Sequence, residues 1–441
     1  MSEQQKRVLI ITYYWPPSGG SGVQRWLKFA KYLPSNGWQP VIYTPENPEF
    51  PSIDPSLEKD VPASAIVIKR PILEPYNIYK RFVGLKKNDR INTGFLSEKE
   101  KPGKLEMLSR WIRGNFFIPD ARRFWVNPSV RFLKKYLRQN PVDLIISTGP
   151  PHSLHLIAQK IQKSTGTPWI ADFRDPWTNI DFYSDLMLTS MADKKHHKLE
   201  KLVLEDAQHI LVVGKTMKDE FSDVVEAEKI TVLPNGYDDE DQHLAKADVD
   251  VKFSIAHIGS FSPARNPQTL WKVLAELTQE DSNFAADLII RAVGTIDHSV
   301  QKAISDNALD AFVERIPYLP HDLVMGEQQR AAVLMLVVNR SKNAKGILTG
   351  KVFEYLLSGR PILAIGPVDG DLAALMEEVG APALVDYDDE AGLKKRVKEL
   401  YADFKQQKEA EAPDVSAYSR SALTKKLSHL MDQISRSSDE R

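Results

Sequence analysis

The chain has 441 residues, of which 42% are hydrophobic, and this length favours two domains, each with its own buried core. Lys and Arg total 58 against 59 Asp and Glu, a formal net charge of -1 that argues against nucleic acid as a partner. There is no cysteine, which excludes disulfides, thiolate nucleophiles and cysteine-ligated metals and favours a reducing, cytoplasmic setting.

Twelve short apolar runs alternate with helical patterns along the chain, from RVLIITYY at residue 7 to PILAIG at residue 361. Such alternation predicts an α/β protein whose parallel sheets are covered by helices on both faces. A polar, acidic stretch over residues 236–252 follows the turn signal Asn235-Gly236 and marks the best domain boundary. Seven of the predicted strands precede this stretch and five follow it. No apolar run reaches the roughly 18 residues of a membrane-spanning helix, so none is expected.

The first strand ends in the sequence PPSGGSGVQRW, residues 16–26. Gly19 and Gly20 allow the backbone to bend and to approach a ligand closely, and the amphipathic pattern that follows predicts a helix. The free amides at about Gly20 to Val23 would then stand at a positive helix end, which suits an anion. The spacing matches neither a dinucleotide fingerprint nor a Walker loop, and a tight turn without a ligand is the alternative.

Residues 69–123 interrupt the strand–helix pattern. They hold 14 Lys and Arg against 6 Asp and Glu, interleaved with aromatic residues. Within them, KLEMLSRWIRGNFF, residues 104–117, has an apolar face with basic margins, which is typical of a helix that lies on anionic lipid. A lid over the acceptor and a solvated surface with a tucked aromatic core are the alternatives.

Two later strands end in STGPPHSL and WIADFRDPW, at the sheet edge where open α/β proteins bind ligands. The first sequence carries His152, and His155 follows one turn further along the predicted helix; a surface or capping histidine is the alternative. The second carries Asp172, Arg174 and Asp175 in a segment otherwise apolar enough to be buried, so each needs a partner. Substrate is one such partner, and an internal Asp–Arg brace is the other.

The second domain opens with FSIAHIGSFSPARNP, in which a strand runs into Gly259 and Ser260. Arg265 stands just ahead of a helix that Asn266 or Pro267 is expected to begin. A fixed positive charge beside helix-end amides outlines a diphosphate site. A solvated surface arginine is the alternative.

A third candidate site lies in GKVFEYLLSGRP, which predicts a short helix after Gly350. Lys351 and Glu354 are three residues apart and therefore share a face of that helix. The carboxylate suits a vicinal diol such as a ribose, and the lysine suits a phosphate. A surface salt bridge between the two is the alternative.

The chain ends in a helical pattern, SALTKKLSHLMDQI, after a polar linker from about residue 405. Its apolar residues fall at helical spacing, so this helix must pack on another part of the protein. They are Leu423, Leu427, Leu430 and Ile434.

Four stretches occur together and in order: PPSGGSGVQR, VLPNGYD, HIGSFSPARNPQTL and GKVFEYLLSGRPILA. In this combination, which covers nearly the whole chain, the sequence resembles the GT-B glycosyltransferases, specifically the glycosyltransferase family 4-like group. The resemblance implies an α/β fold with two Rossmann-like domains that face each other across a cleft. Residues 1–240 would bind the acceptor, residues 241–415 would bind the nucleotide-sugar, and helix 416–441 would pack back toward the N-terminal domain.

The resemblance also implies roles for the candidate residues. The loop of Gly19 and Gly20 would approach the donor phosphates, and Arg265 falls where the family usually has a lysine. In the K-x-x-E-Y motif, Lys351 would meet the diphosphate and Glu354 would bind the nucleotide ribose.

In the N-terminal half, a histidine of such enzymes often reaches the donor sugar, and His152 is the candidate catalytic residue, with Asp175 as the second. Two family residues are replaced in this chain. Gly346 stands where the family has the first glutamate of its E-x7-E motif. Ser260 stands where the family has an arginine, just after the first glycine of the second domain. Because Ser260 lies in that loop, it is still a candidate substrate-binding residue.

The expected activity is transfer of a sugar from a nucleotide diphosphate-sugar donor to a hydroxyl of a glycan or lipid-linked acceptor, with retention of configuration. The resemblance implies no cofactor and no metal besides the donor substrate. We expect a role in cell-surface polysaccharide or glycoconjugate synthesis, at the inner face of an anionic membrane. A nucleotide-sugar epimerase of the same fold and a non-catalytic binding protein are the alternatives.

Overall fold

The computed structural model of the protein describes residues 5–50, 52–74, 104–240, 247–319, 321–408 and 413–439. These residues form two compact units. Unit 1 contains the described residues up to Pro234 together with the C-terminal helix from Arg420, and unit 2 contains those from Asn235 to Ser419. Of the basic insertion predicted over 69–123, residues 75–103 lie outside the described part.

Unit 1 is built on a seven-stranded parallel sheet in the order β3-β2-β1-β4-β5-β6-β7. Its strands are β1 Lys6–Ile11, β2 Trp38–Pro45, β3 Ile66–Arg70, β4 Leu144–Gly149, β5 Trp169–Phe173, β6 His209–Val212 and β7 Ile230–Val232. Its helices are α1 Ser21–Tyr32, α2 Lys104–Phe116, α3 Arg123–Gln139, α4 Ser153–Thr165, α5 Ser190–Asp206, α6 Lys215–Ser222 and, at the C-terminus, α14 Arg420–Asp439.

Unit 2 is built on a five-stranded parallel sheet in the order β10-β9-β8-β11-β12. Its strands are β8 Phe253–Ile258, β9 Leu288–Val293, β10 Val313–Ile316, β11 Val333–Val337 and β12 Ile362–Ile365. Its helices are α7 Gln268–Glu280, α8 Ser282–Asp287, α9 His298–Asp306, α10 His321–Arg330, α11 Lys351–Leu357, α12 Asp371–Glu378 and α13 Glu390–Lys405. The predicted division into seven and five strands is confirmed.

The strand order reverses next to β1 in unit 1 and next to β8 in unit 2. In open parallel sheets, the helices that follow strands on either side of such a point lie on opposite faces, which leaves a crevice at the carboxyl ends of the strands. The loops after β1 and β4, and those after β8 and β11, are therefore the places where each unit is able to bind a ligand.

Helix α14 covers one face of the sheet of unit 1. Leu423, Leu427 and Met431 are buried in the same apolar cluster as α1 and the inner residues of β1 and β4, with Leu430 and Ile434 packed against it. The carboxylate of Asp432 accepts hydrogen bonds from Lys6 Nζ and Trp38 Nε1 at 2.8 and 3.2 Å. The prediction that the C-terminal helix packs on the N-terminal domain is confirmed.

The apolar segment predicted over 104–117 forms α2. Its C-terminal end packs against residues 186–188 of unit 1. Met107, Leu108 and Phe116 are exposed. Among the helices that the structure describes, none is long and apolar enough to cross a membrane.

Candidate functional site

In unit 2, two glycines bring the loops after β8 and β9 close together. Gly259 and Gly294 both have φ of 108°, a region that side chains with a Cβ rarely adopt. The N–H of Gly259 donates to Val293 O at 2.7 Å, and a Cβ on Gly294 would lie 3.0 Å from the carbonyl oxygen of Gly259. A Cβ on Gly259 itself would lie 2.5 Å from Lys351 Nζ. The bare backbone at the end of β8 therefore makes room for the ammonium group of Lys351.

Lys351 begins α11, and its Nζ is buried without a hydrogen-bond partner among the described residues. Burial and the positive charge of Arg265 lower the pKa of Lys351 to about 7, although the carboxylate of Glu354 acts in the opposite direction. The alternative interpretation of the sequence was a surface salt bridge between Lys351 and Glu354, and the described structure does not contain it. A buried ammonium without a counter-ion is costly, so this position favours an anionic ligand.

Glu354 is held by a different partner. Gln328, which lies on α10 and is 1% exposed, donates from Nε2 to Glu354 Oε2 at 3.1 Å. The next residue, Tyr355, is fully buried, and its hydroxyl accepts a hydrogen bond from the N–H of Ile258 at 3.2 Å. These two contacts fix α11, and with it the carboxylate of Glu354, at the carboxyl end of β8.

Arg265 lies in a short 3-10 turn, Pro263–Arg265, and α7 begins at Gln268, just after the expected Asn266 or Pro267. The Nε of Arg265 donates to Asn339 Oδ1 at 2.6 Å, and one terminal nitrogen donates to the carbonyl oxygen of Ser260 at 3.4 Å. Ser260 itself is exposed. Arg265 is therefore anchored by its neighbours, unlike the freely solvated arginine that was the alternative.

Other buried polar atoms around Lys351 also have no partner among the described residues. They are His257 Nδ1, Thr349 Oγ1 and Gln328 Oε1. His257 stacks on Phe261 at 4.0 Å, and burial together with the charges of Lys351 and Arg265 holds the pKa of His257 well below its usual value. The site thus contains a neutral histidine, an anchored guanidinium and a buried lysine that is charged below about pH 7. Several polar atoms beside them are free to hydrogen-bond a ligand.

In unit 1, the glycine loop after β1 is tied to residues 52–54. The N–H of Gly19 donates to Ser52 O at 3.0 Å, and a Cβ on Gly19 would lie 2.8 Å from Ser52 Oγ. Gly20 is exposed, has φ of 85° and precedes the first turn of α1. The N–H groups of residues 20–23 donate to no other group in the described part of the chain, as the free-amide prediction requires.

Asp172 does not face a substrate but joins β5 to α1. Its buried carboxylate accepts from Arg25 at 2.8 Å, from Trp26 Nε1 at 2.7 Å and from Thr148 Oγ1 at 2.7 Å. Burial alone would raise the pKa of Asp172, but the ion pair with Arg25 and these hydrogen bonds hold it below the usual range. Of the two alternatives for this residue, the structure shows the internal brace, with Arg25 rather than Arg174 as the partner.

Arg174 braces two loops. It donates from one terminal nitrogen to Gly22 O at 2.9 Å and from the other to Pro150 O, and so ties the glycine loop to the loop after β4. Asp175 is exposed and forms no hydrogen bond or ion pair with any described residue. The three charged residues therefore differ in role. Asp172 and Arg174 are bound to other parts of unit 1, and of the three only Asp175 is accessible to a ligand.

The loop after β4 places His152 and His155 together. A Cβ on Gly149 would lie 2.5 Å from His155 Nε2 and 2.8 Å from His152 Nδ1, and neither nitrogen has a partner among the described residues. His155 Nδ1 is 2.8 Å from Ser147 Oγ, while the ring of His152 lies parallel to Trp177 with centroids 4.7 Å apart. Burial, followed by the proximity of His155 and Arg174, holds the pKa of His152 well below its usual value, so this ring is neutral.

Comparisons with known proteins bear on the fold of the chain. The family model described as Glycosyltransferase Family 4 matches residues 95–241. A search of the curated proteins returned no match. Among solved structures, sucrose-phosphate synthase from Thermosynechococcus elongatus is similar with a TM-score of 0.56 and 12% identity, over 99% of this chain and 98% of that one.

Two further solved structures cover the chain to the same extent. Trehalose 6-phosphate synthase from Burkholderia multivorans has a TM-score of 0.60 at 11% identity, over 99% of this chain and 98% of that one. TarM has a TM-score of 0.61 at 12% identity, over 98% of this chain and 99% of that one. At such identities the likeness to these structures shows the fold, and the family model matches about a third of the chain. The chain therefore has the GT-B fold, and its residues 95–241 are similar to the model of glycosyltransferase family 4.

Proposed function

We propose that this protein transfers a sugar from a nucleotide diphosphate-sugar to a hydroxyl of a glycan or lipid-linked acceptor, with retention of configuration. The observation that carries the proposal is the buried, unpartnered Nζ of Lys351 against Gly259, beside the anchored Arg265 and the positioned carboxylate of Glu354. Two cations suit a diphosphate, and a carboxylate suits the diol of a ribose. The proposed donor site therefore lies in unit 2.

The proposed chemistry needs charge stabilisation more than a strong base. The bond between the anomeric carbon and the diphosphate oxygen breaks, and the nucleoside diphosphate leaves with the electron pair. The acceptor oxygen bonds to the same face of the anomeric carbon and gives its proton to the departing phosphate. Arg265 and protonated Lys351 stabilise the charge that develops on the leaving group. In this scheme no cofactor or metal is required besides the donor.

We propose that unit 1 offers a second set of substrate-binding groups. His152 is a neutral ring that is able to hydrogen-bond a sugar hydroxyl, and the free amides after Gly20 are able to contact the donor phosphates. Asp175, exposed and unpaired within the described residues, is the second candidate for contact with the substrates. We place the acceptor in this unit because the loops after β1, β4 and β5 bring these groups to one edge of its sheet.

A thermal-shift series with UDP, GDP and dTDP tests the donor site. One of the three is expected to raise the melting temperature of the protein, and Glu354→Ala is expected to abolish that shift. Glu377→Ala, an exposed carboxylate on α12 without a described contact, is the matched control and should keep the shift. If none of the nucleotides stabilises the protein, the proposal fails and the non-catalytic alternative gains support.

The transfer step is tested by incubation with the matching nucleotide-sugar. Turnover should require an acceptor, and NMR of the product should show retained configuration at the anomeric carbon. An epimerase would instead convert the donor without any acceptor, and an inverted product would contradict the proposed same-face attack.

We further propose that the protein contacts an anionic membrane, where it would serve cell-surface polysaccharide or glycoconjugate synthesis from the cytoplasmic side. The exposed Phe116 of α2 lies near the start of α5, because Asn115 Oδ1 accepts from Thr189 N at 2.7 Å. Helix α5 exposes Lys194, Lys195 and Lys198, which have no carboxylate partner among the described residues. Exposed apolar and basic groups on these two neighbouring helices suit anionic lipid.

Co-sedimentation with vesicles tests the membrane contact. Binding to phosphatidylglycerol vesicles should exceed binding to phosphatidylcholine vesicles, and it should fall in high salt because exposed charges are screened. Replacing the three lysines of α5 by alanine should weaken binding, whereas Lys395→Ala on α13 should not. Equal binding to both kinds of vesicle would contradict this part of the proposal.

A further inference from the structure

The ring of His152 is held by stacking and not by hydrogen bonds. Neither of its nitrogens donates to or accepts from any described residue, and its Nδ1 is buried. The indole of Trp177 lies parallel to it, with an interplanar angle of 5° and centroids 4.7 Å apart. The neighbouring rings of His155 and Phe173 are tilted and more distant, at 5.7 and 5.9 Å. The orientation of His152 therefore depends chiefly on where Trp177 is held.

Trp177 is itself fixed at its backbone and at its ring. Its N–H donates to Glu200 Oε1 at 3.2 Å, and its Nε1 donates to His196 Nδ1 at 3.1 Å. An indole nitrogen only donates, so His196 Nδ1 must accept, and the proton of the neutral imidazole is on Nε2. His196 Nε2 lies 3.4 Å from Gly114 O and therefore donates to it. Both nitrogens of His196 are thus occupied in one defined tautomer.

Gly114 belongs to the last turn of α2, and the position of this turn is fixed by contacts with residues 186–189. A Cβ on Gly114 would lie 2.8 Å from Leu186 O, so the helix packs directly on that backbone. The side chain of the next residue, Asn115, donates to Met187 O at 3.2 Å and accepts from Thr189 N at 2.7 Å. An unbroken series of contacts therefore runs from α2 through His196 and Trp177 to the ring of His152.

We propose that His196 and Trp177 are positioning residues that couple the end of α2 to His152 and set its ring for the transfer step. The proposal deepens the proposed function, on which it rests, because it assigns the ring to the reaction. Neither residue touches the substrates: each acts through the next ring. A group that binds on α2 would then influence His152 through this series of contacts.

The test compares two neighbouring histidines of α5. His196→Ala removes the acceptor for Trp177 Nε1, and we expect kcat to fall about 10- to 100-fold with KM for the donor little changed, because a misplaced catalytic group costs rate rather than binding. His197→Ala removes an adjacent ring that is 56% exposed and outside the series, and it should leave kcat unchanged. His196→Gln, which offers an acceptor and a donor, should restore most of the rate.

A second measurement does not depend on activity. The histidines are labelled with stable isotopes, and the NMR signals of the His152 ring are compared among variants. These signals should shift in His196→Ala and shift less in Asn115→Ala. They should be unchanged in His197→Ala. Trp177→Phe keeps an aromatic ring in the stack but removes the Nε1 donor. Because the hydrogen bond to His196 is then lost, the His152 signals should shift as they do in His196→Ala.

The outcomes separate the two proposals. Unchanged His152 signals in both His196→Ala and Trp177→Phe would overturn the positioning series, as would identical kcat values for His196→Ala and His197→Ala. Shifted signals in a protein that transfers no sugar would overturn the proposed function, and with it the role in the transfer step, and would support only the physical coupling of α2 to the His152 ring.

Discussion

Lys351 carries its ammonium group against Gly259, with a pKa lowered to about 7 by burial and by Arg265. A bound diphosphate would favour the charged form of this group and raise its pKa again. Between pH 7 and the ordinary pKa of 10.5, the free protein therefore lacks a proton that the complex requires. Binding must take up that proton, so the affinity for a nucleoside diphosphate should fall by up to about tenfold per pH unit above 7.

Isothermal titration calorimetry at pH 8.5, in two buffers with different ionisation enthalpies, measures the uptake. We expect close to one proton per bound nucleoside diphosphate for the wild-type protein. In Lys351→Met the uptake should disappear and binding should be weaker. Equal uptake in both proteins would show that another group titrates on binding and that Lys351 does not meet the diphosphate.

Gly259→Ala tests the close approach between backbone and ammonium group. The new Cβ would be 2.5 Å from Lys351 Nζ, and φ of 108° disfavours a side chain at this position. Displacement of the ammonium group should therefore weaken nucleoside diphosphate binding by about tenfold or more, an estimate based on the loss of one charged hydrogen bond. Gly380→Ala is the matched control, because φ there is also positive, at 68°, and no atom lies within 4 Å of its Cβ. Similar losses in both variants would assign the effect to backbone strain alone.

At the scale of secondary-structure elements, α14 joins the chain's C-terminus to the sheet of unit 1. Leu427→Ala would leave a cavity among α1, β1 and α14 and should lower the free energy of unfolding by about 2–5 kcal/mol. Lys426→Ala, one residue away on the exposed face, should change it by less than about 0.5 kcal/mol. Urea unfolding followed by circular dichroism measures both. Equal midpoints would contradict the packing of this helix on unit 1.

The elements could be predicted from the sequence because the inner strands of both sheets are buried on both faces. Such inner strands appear in the sequence as continuous apolar runs, and all twelve predicted runs form strands, including the more exposed edge strands β3 and β10. The apolar spacing of α14 likewise predicted a buried face, although Met431, rather than Leu430, is at its centre.

Contacts between distant elements could not be predicted in this way. The sequence showed that a buried Asp172 needs a partner, but Arg25 lies 147 residues away and is brought to it only by the packing of α1 on β5. Helical spacing paired Glu354 with Lys351, whereas the fold supplies Gln328 from another helix and turns Lys351 toward Gly259. The spacing of residues in the sequence predicts which side chains are neighbours on the same helix or strand. The chemistry of this site depends instead on contacts between side chains of different helices and strands.

At the scale of the whole molecule, each unit has its own sheet, its own core and its own group of unpartnered polar atoms. In unit 2 these atoms include Lys351 Nζ and Thr349 Oγ1 of the proposed donor site, and in unit 1 they include His152 Nδ1 and His155 Nε2. Binding of the nucleoside diphosphate should therefore be visible as a local event in unit 2 of the intact protein.

Hydrogen exchange of the full chain, with and without the nucleoside diphosphate that stabilises it, locates this event. Amides in 257–265 and 349–355 should exchange more slowly in the complex, because the ligand would satisfy polar groups that have no partner among the described residues and would hold both loops closed. The core strands β4 and β5 should be unaffected, and Glu354→Ala should cancel the protection. Protection confined to the glycine loop, residues 16–25, would mean that unit 1 alone holds the nucleotide, and the assignment of the donor to unit 2 would be wrong.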